Sequence, residues 1–162
     1  ETGKQKNNPE IHNLVTVIED TIEPLQQLIK KKNITVHFNS NKIVNAYFDL
    51  DRIVQVVTNL ISNAIKFCPE HEGIIAINLT DKEDFIHVSI LDNGKGINPN
   101  DFDNIFDKFY QSDNQNIKKP IGSGLGLAIC KQIIDIHGGK IWAENNINSG
   151  ACFTFTLPKN KL

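Results

Sequence analysis

The chain is 162 residues long, which is the length of one globular domain. Hydrophobic residues make up 40% of it and charged residues 22%, a balance that excludes disordered, collagenous and coiled-coil classes. The formal charge of −2 argues against a basic field for nucleic acid, so we expect no nucleic-acid partner.

The first half of the chain predicts two helices separated by two strands. Apolar residues recur every three or four positions from Ile11 to Ile29, as a helix with one buried face requires. Asp49 or Asp51 is a suitable N-cap for a second, long helix that ends before Pro69. The intervening strands are expected at residues 34–38 and 44–48.

The second half predicts a hairpin, a long polar segment, a helix and two closing strands. The polar segment, residues 92–124, is long enough to be functional or mobile in a compact domain. The other elements are expected at residues 73–80, 85–91, 125–137, 140–144 and 152–157. The economical architecture is α+β, a two-layer sandwich with helices covering one face of a mixed sheet.

We expect residues 10–158 to form this domain, after an expression remnant or linker at 1–9 and before a tail at 159–162. The chain contains no methionine, so we expect it to be a piece of a longer protein whose membrane attachment stays open. Its three cysteines lack the spacing of a metal site or a disulfide framework, which favours small core residues in a reducing compartment.

One polar stripe interrupts the second predicted helix. Asn59, Asn63 and Lys66 lie four and three residues apart and therefore share a helical face. An amide oxygen on this face can be a neutral ligand to Mg²⁺, and the lysine ammonium can meet phosphate charge. The alternative is a solvated edge of an amphipathic helix.

Two glycine clusters flank the long polar segment. Gly122, Gly124 and Gly126 open a helix that begins at Leu125 or just before, where backbone N–H groups and the helix dipole can bind an anion. A flexible junction is the alternative. Asp92 directly follows a predicted strand, either as a turn-forming residue or as an acceptor for an exocyclic amine.

In this order, the clusters resemble the ATP-binding catalytic domain of sensor histidine kinases over about residues 10–158. Asn59–Phe67 looks like the N box of that family, and residues 92–97 look like its first glycine box. Residues 106–110 and 122–127 are similar to its F box and second glycine box. The resemblance implies an ATP-binding sandwich of the Bergerat type with a long lid over the nucleotide.

The resemblance also implies roles for single residues. Asn59, Asn63 and Lys66 would form the catalytic set, with Asn63 as the Mg²⁺ ligand and Lys66 as a phosphate contact. Asp92 would accept the adenine amino group. The remaining cofactor-binding residues would be Phe67, Gly94, Gly96, Ile97, Lys108, Phe109, Gly122, Gly124, Leu125 and Gly126. Phe106 and Phe109 would pin the lid and touch the histidine-bearing domain.

Two features of the sequence bear on the reaction. Hydrolytic members of the superfamily carry a glutamate four residues before the Mg²⁺ asparagine, whereas this chain has Asn59. Because a neutral amide is no general base, phosphoryl transfer to a protein side chain is favoured over hydrolysis. Gln111 also stands where relatives often carry an arginine for the γ-phosphate, and the lysines that could replace it are Lys108, Lys118 and Lys119.

The sequence holds no phosphoacceptor box of the His-Glu/Asp-x-x-x-Pro type. His12 precedes Asn13 and is expected at the start of the first helix, which makes it a poor acceptor. We therefore expect a cytosolic, monomeric domain that binds Mg-ATP and transfers the γ-phosphoryl group to a histidine. That histidine would lie on a separate dimerisation domain of a homodimeric parent. A response-regulator receiver domain would be the indirect partner. The alternative is a nucleotide-binding regulatory module without transfer activity.

Overall fold

The computed structural model describes residues 6–39, 41–108, 110 and 126–162, in which a mixed five-stranded sheet forms one layer. The strands are β1 (Glu10–Asn13), β2 (Thr35–Phe38), β3 (Asn45–Phe48), β4 (Ile74–Asp81), β5 (Phe85–Asp92), β6 (Ile141–Asn145) and β7 (Ala151–Pro158). The main sheet has the order β2-β4-β5-β7-β6, and only its β2–β4 pair is parallel. β1 and β3 form a separate antiparallel pair.

Helices form the second layer. They are α1 (Leu14–Ile22), α2 (Gln26–Lys31), α3 (Leu50–Phe67) and α4 (Gly126–Ile136), with short 3-10 turns at Glu23–Leu25 and Pro99–Asp101. α3 lies at the centre of this layer and packs against α1, α4 and β5. Leu60 and Ile61 of α3 and Ile90 of β5 are fully buried between the layers. The predicted α+β sandwich is confirmed.

The predicted helix from Ile11 to Ile29 was wrong at its start and in its middle. Residues 10–13 instead form β1, which pairs with β3, so His12 lies in a strand rather than at a helix start. The side chain of Asn13 caps α1 by accepting a hydrogen bond from the backbone N–H of Val15 at 3.2 Å. Pro24 lacks a backbone N–H, and the chain passes through a 3-10 turn there.

The other predicted elements lie within a few residues of the observed ones, and the cysteines are free as expected. Cys130 is buried, while Cys68 and Cys152 are half-buried. Burial raises the pKa of the Cys130 thiol to about 11, and a hydrogen bond with the Asn59 side chain lowers that pKa in part. None of the helices in the described ranges is long and apolar enough to cross a membrane.

Asp49 caps α3 as predicted and joins three segments. Its carboxylate accepts hydrogen bonds from the backbone N–H groups of Arg52 at 3.2 Å and Asn8 at 2.7 Å. Its own N–H donates to Nε2 of His137 at 3.0 Å, beyond the end of α4. Partial burial opposes the charge, but the hydrogen bonds and nearby positive groups outweigh it and lower the pKa of Asp49.

We expect Asp49→Ala to lower the free energy of unfolding by about 1 kcal/mol, the usual cost of losing an N-cap. Urea unfolding at neutral pH measures it. Because the folded-state pKa is lowered, this stabilisation is present above the ordinary carboxyl pKa and is lost as pH falls through the lowered value. Asp49→Asn is the matched control, since it keeps a capping oxygen, and an equal loss in both variants would contradict the capping role.

Candidate functional site

The C-terminal half of α3 carries the polar stripe noted in the sequence. Asn59 and Asn63 are half-buried on this helix, and Lys66 is exposed near its end. The amide of Asn59 donates to the backbone oxygen of Gly126 at 3.5 Å, so it contacts the first residue of α4. Among the described residues, none hydrogen-bonds the side chain of Asn63. The structure therefore leaves one of the two amides unpaired at the predicted site.

The last residue of α3, Phe67, presents an aromatic ring that is 49% exposed. The Lys66 ammonium lies 5.7 Å from the centre of this ring, within cation–π range. Partial burial lowers the pKa of Lys66. An exposed aromatic ring and a cation at the end of a buried helix are suited to a planar, negatively charged ligand.

Asp92 lies at the end of β5 and is only 5% exposed. Its Oδ1 accepts hydrogen bonds from the backbone N–H groups of Gly94 at 2.9 Å and Ala151 at 3.3 Å. No described residue donates to its Oδ2. Burial raises the pKa of Asp92, although the two backbone donors lower it in part. One oxygen of Asp92 thus forms the turn, and the other stays open to a ligand.

The glycine loop, which we define as residues 92–97, packs against the end of α3. A Cβ added to Gly94 would lie 2.1 Å from the backbone oxygen of Phe67, so only glycine fits this approach. Gly96 has a φ of +81°, which also favours glycine. Gly94 thus lets the loop that begins at Asp92 approach the aromatic end of α3.

Asparagines around this loop were not identified from the sequence. Asn93 accepts a hydrogen bond from the Ile74 N–H at 2.8 Å and donates to the Glu72 backbone oxygen at 2.8 Å, which ties the loop to the start of β4. The loop is contacted from its other side by Asn145, the last residue of β6, and by Asn146 and Ser149, which follow that strand. The only signal in the sequence was a general richness in asparagine.

The segment after the glycine loop is anchored to the core. The Phe106 ring lies 6.3 Å from that of Phe153 in β7, in an edge-on arrangement. The Tyr110 hydroxyl donates to Asp101, in the 3-10 turn. Lys108 is exposed. Outside the described residues lie Phe109, Gln111, Lys118, Lys119, Gly122, Gly124 and Leu125.

The donor atoms of the described residues suit Mg²⁺ better than they suit a metal that is coordinated by protein side chains alone. No group of three or more His, Cys, Asp or Glu side chains suited to a metal occurs in those ranges. Asn63 instead offers a neutral oxygen without a competing partner. Mg²⁺ usually keeps waters and substrate phosphate oxygens and takes few protein ligands, so one amide oxygen is sufficient.

Similarity to known proteins covers most of the chain. Residues 48–161 match the family model described as histidine kinase-, DNA gyrase B-, and HSP90-like ATPase. The sensor histidine kinase WalK of Bacillus subtilis is 42% identical over 111 residues, which are 68% of this chain and 18% of WalK. The adaptive-response sensory kinase SasA of Synechocystis is 35% identical over 90% of this chain and 38% of its own length.

Solved structures extend the similarity to the fold. The nucleotide-free catalytic domain of the histidine kinase ThkA superposes with a TM-score of 0.83 at 35% identity, covering 95% of this chain and 99% of that domain. ThkA in complex with the response regulator TrrA gives a TM-score of 0.82 at 32% identity, over 98% of this chain and 44% of that one. The chain therefore matches nearly the full length of the ThkA catalytic domain but only 18–44% of the longer kinases.

Proposed function

This chain belongs to the family of histidine kinase-, DNA gyrase B- and HSP90-like ATPases, as an ATP-binding domain of the sensor histidine kinase type, and we propose that it binds Mg-ATP and delivers the γ-phosphoryl group to a histidine. The acceptor would lie on a separate dimerisation domain of the same parent protein. The observation that carries the proposal is the Oδ2 of the buried Asp92, which receives no hydrogen bond from a described residue and can accept the adenine amino group.

The residues of the site divide the work of holding the nucleotide. Asp92 orients adenine, and Phe67 makes a contact on the adenine side of the nucleotide. Asn63 holds Mg²⁺, which neutralises phosphate charge, and Lys66 contacts the phosphates. The first backbone N–H groups of α4, which begins at Gly126, would contact the phosphates, where the helix dipole is favourable. Catalysis then rests on positioning and electrostatics.

Asn59 favours transfer over hydrolysis. Its amide cannot take a proton from water, and its hydrogen bond to Gly126 gives it a positioning role between α3 and α4. A water molecule in the site would therefore lack a base at this position. The nucleophile must come from outside, as the imidazole of an acceptor histidine.

The partners follow from this division of labour. The curated relatives are longer than the chain, and the acceptor histidine belongs to the part of the parent outside these residues. We propose a homodimeric parent, a monomeric isolated domain and a response-regulator receiver domain as the later phosphoryl acceptor. The complex of ThkA with its response regulator supports this partner class. The use of ATP is the argument for a cytosolic location.

The test is phosphoryl transfer with separated domains. The chain, incubated with γ-labelled ATP and Mg²⁺, should stay unlabelled and hydrolyse ATP near background. Adding the dimerisation domain of its parent should give acid-labile, base-stable label on that partner. The physical reason is that transfer needs the nucleophile within about 3–3.5 Å of the phosphorus, and His12 is held in β1.

Each contrary outcome has a distinct meaning. ATP binding without transfer to the partner would favour a regulatory nucleotide-binding module. Brisk steady-state hydrolysis would contradict the role assigned to Asn59. Self-labelling that His12→Ala removes would overturn the division of the parent into two domains.

A further inference from the structure

We propose that Asn145, the last residue of β6, and Ser149, in the turn that follows it, are positioning residues that set adenine recognition by holding the backbone of the glycine loop. This inference rests on the proposed function, because it concerns how the same site selects its base. The two residues touch neither the end of α3 nor α4 through any hydrogen bond in the described part of the chain. Their action would pass through the loop alone.

Asn145 binds both polar groups of one backbone residue. Its Oδ1 accepts from the Ile97 N–H at 2.7 Å, and its Nδ2 donates to the Ile97 oxygen at 2.8 Å. This two-point contact fixes the orientation of the peptide as well as its position. Gly96 has no Cβ at the point where one would lie 2.7 Å from the Asn145 oxygen, so the amide reaches the loop closely.

Ser149 holds the other end of the same loop. Its hydroxyl donates to the Gly94 oxygen at 2.7 Å and lies 3.3 Å from the Asn93 oxygen. Asn146 adds a bond from its Nδ2 to the Asp92 oxygen at 3.1 Å. The turn therefore contacts the loop from the residue that carries the acceptor carboxylate to the residue that closes the loop.

The chemistry that depends on this support is the acceptor geometry of Asp92. Its Oδ1 is directed by the Gly94 N–H, and Ser149 holds the carbonyl of the same Gly94. Movement of Gly94 would change the direction of the carboxylate and of its open Oδ2. Loss of the support should therefore weaken contacts to the exocyclic amine of adenine more than contacts to the phosphates.

The test compares ATP with inosine triphosphate, which replaces that amine by an oxygen. Isothermal titration should show that the wild-type chain prefers ATP. We expect Asn145→Ala and Ser149→Ala, each made alone, to weaken ATP binding about 10-fold, which corresponds to the loss of one or two hydrogen bonds. The affinity for inosine triphosphate should change little. Ile147→Ala is the matched control, because Ile147 lies in the same turn with a fully exposed side chain.

A purely structural role of Asn145 and Ser149 would change stability rather than base selectivity. It would lower the urea midpoint and leave the ratio of the two affinities unchanged in the folded protein, and that result would overturn the proposal. Asn145→Asp retains the acceptor but loses the donor. Compared with Asn145→Ala, it should therefore recover no more than part of the wild-type ratio of ATP affinity to inosine triphosphate affinity. Absence of any ATP preference in the wild-type chain would remove Asp92 from adenine recognition, the contact on which the proposed function rests, whatever the variants do.

Discussion

Asp92→Asn should weaken ATP binding by about 10- to 100-fold, because a charge-assisted hydrogen bond contributes roughly 1.5–3 kcal/mol. The substitution keeps an oxygen that can accept from Gly94 and Ala151, as Oδ1 does now. It then places an amide donor where the open Oδ2 stands. Two donors, the amide and the adenine amine, would face each other, and the loss would be specific to the ligand.

The same variant should not destabilise the fold. Burial raises the pKa of Asp92, so the folded state bears a cost for its charge at neutral pH that asparagine avoids. Urea unfolding alongside calorimetry separates the two effects. Asp84→Asn is the control, since Asp84 is an exposed acid in the turn before β5. Unchanged ATP affinity in Asp92→Asn would remove Asp92 from the adenine site.

The pH dependence of binding follows from the sign of the same shift. Because the folded-state pKa is raised, the carboxylate gains a proton at a pH above the ordinary 3.8. Its share of ATP affinity should therefore decline as pH falls through that raised value, whereas protonation of this group does not cost folding stability. In Asp92→Asn this component of the pH profile should be absent.

The sequence predicted the architecture because most elements have strong local signals. The apolar face and the Asp49 cap define α3, and alternation defines the hairpin of β4 and β5. The start of the first helix was mispredicted because Ile11, the one apolar residue of β1, lies three residues before Leu14 and so continues the apolar spacing of α1. The strand conformation of β1 depends on pairing with β3, more than 30 residues away, which periodicity does not report.

Candidate site residues were found from the sequence only where the residue type and its local position indicate a chemical role. Asp92 was noted for its place after a strand and Gly94 through the family resemblance, and the structure brings both to the end of α3, while their roles toward a nucleotide stay predictions. Asn145 and Ser149 were missed because they act on backbone atoms of a loop some 50 residues earlier. Such contacts depend on the β5–β7 register and have no local sequence signal.

Asn63→Ala should abolish the Mg²⁺-dependent part of ATP binding and of phosphoryl transfer. Asn63 has no hydrogen-bond partner among the described residues, so its oxygen is available to a metal, and alanine removes that oxygen without exposing another buried polar group. Titrations of ATP in MgCl2 and in EDTA measure the effect. The wild-type chain should bind more tightly with Mg²⁺, whereas the variant should give the same affinity in both.

Two variants on the same helix make the result specific to the metal. Ser62→Ala, at the neighbouring half-buried position, should keep the full response to Mg²⁺. Asn59→Ala removes the contact to Gly126, so it should loosen the start of α4 and reduce affinity in both buffers. Adenosine, which carries no phosphate, should bind Asn63→Ala and the wild-type chain alike, because Asp92 is intact in both. If Asn63→Ala retained the Mg²⁺ response while Asn59→Ala lost it, the metal ligand would be Asn59, one helical turn earlier.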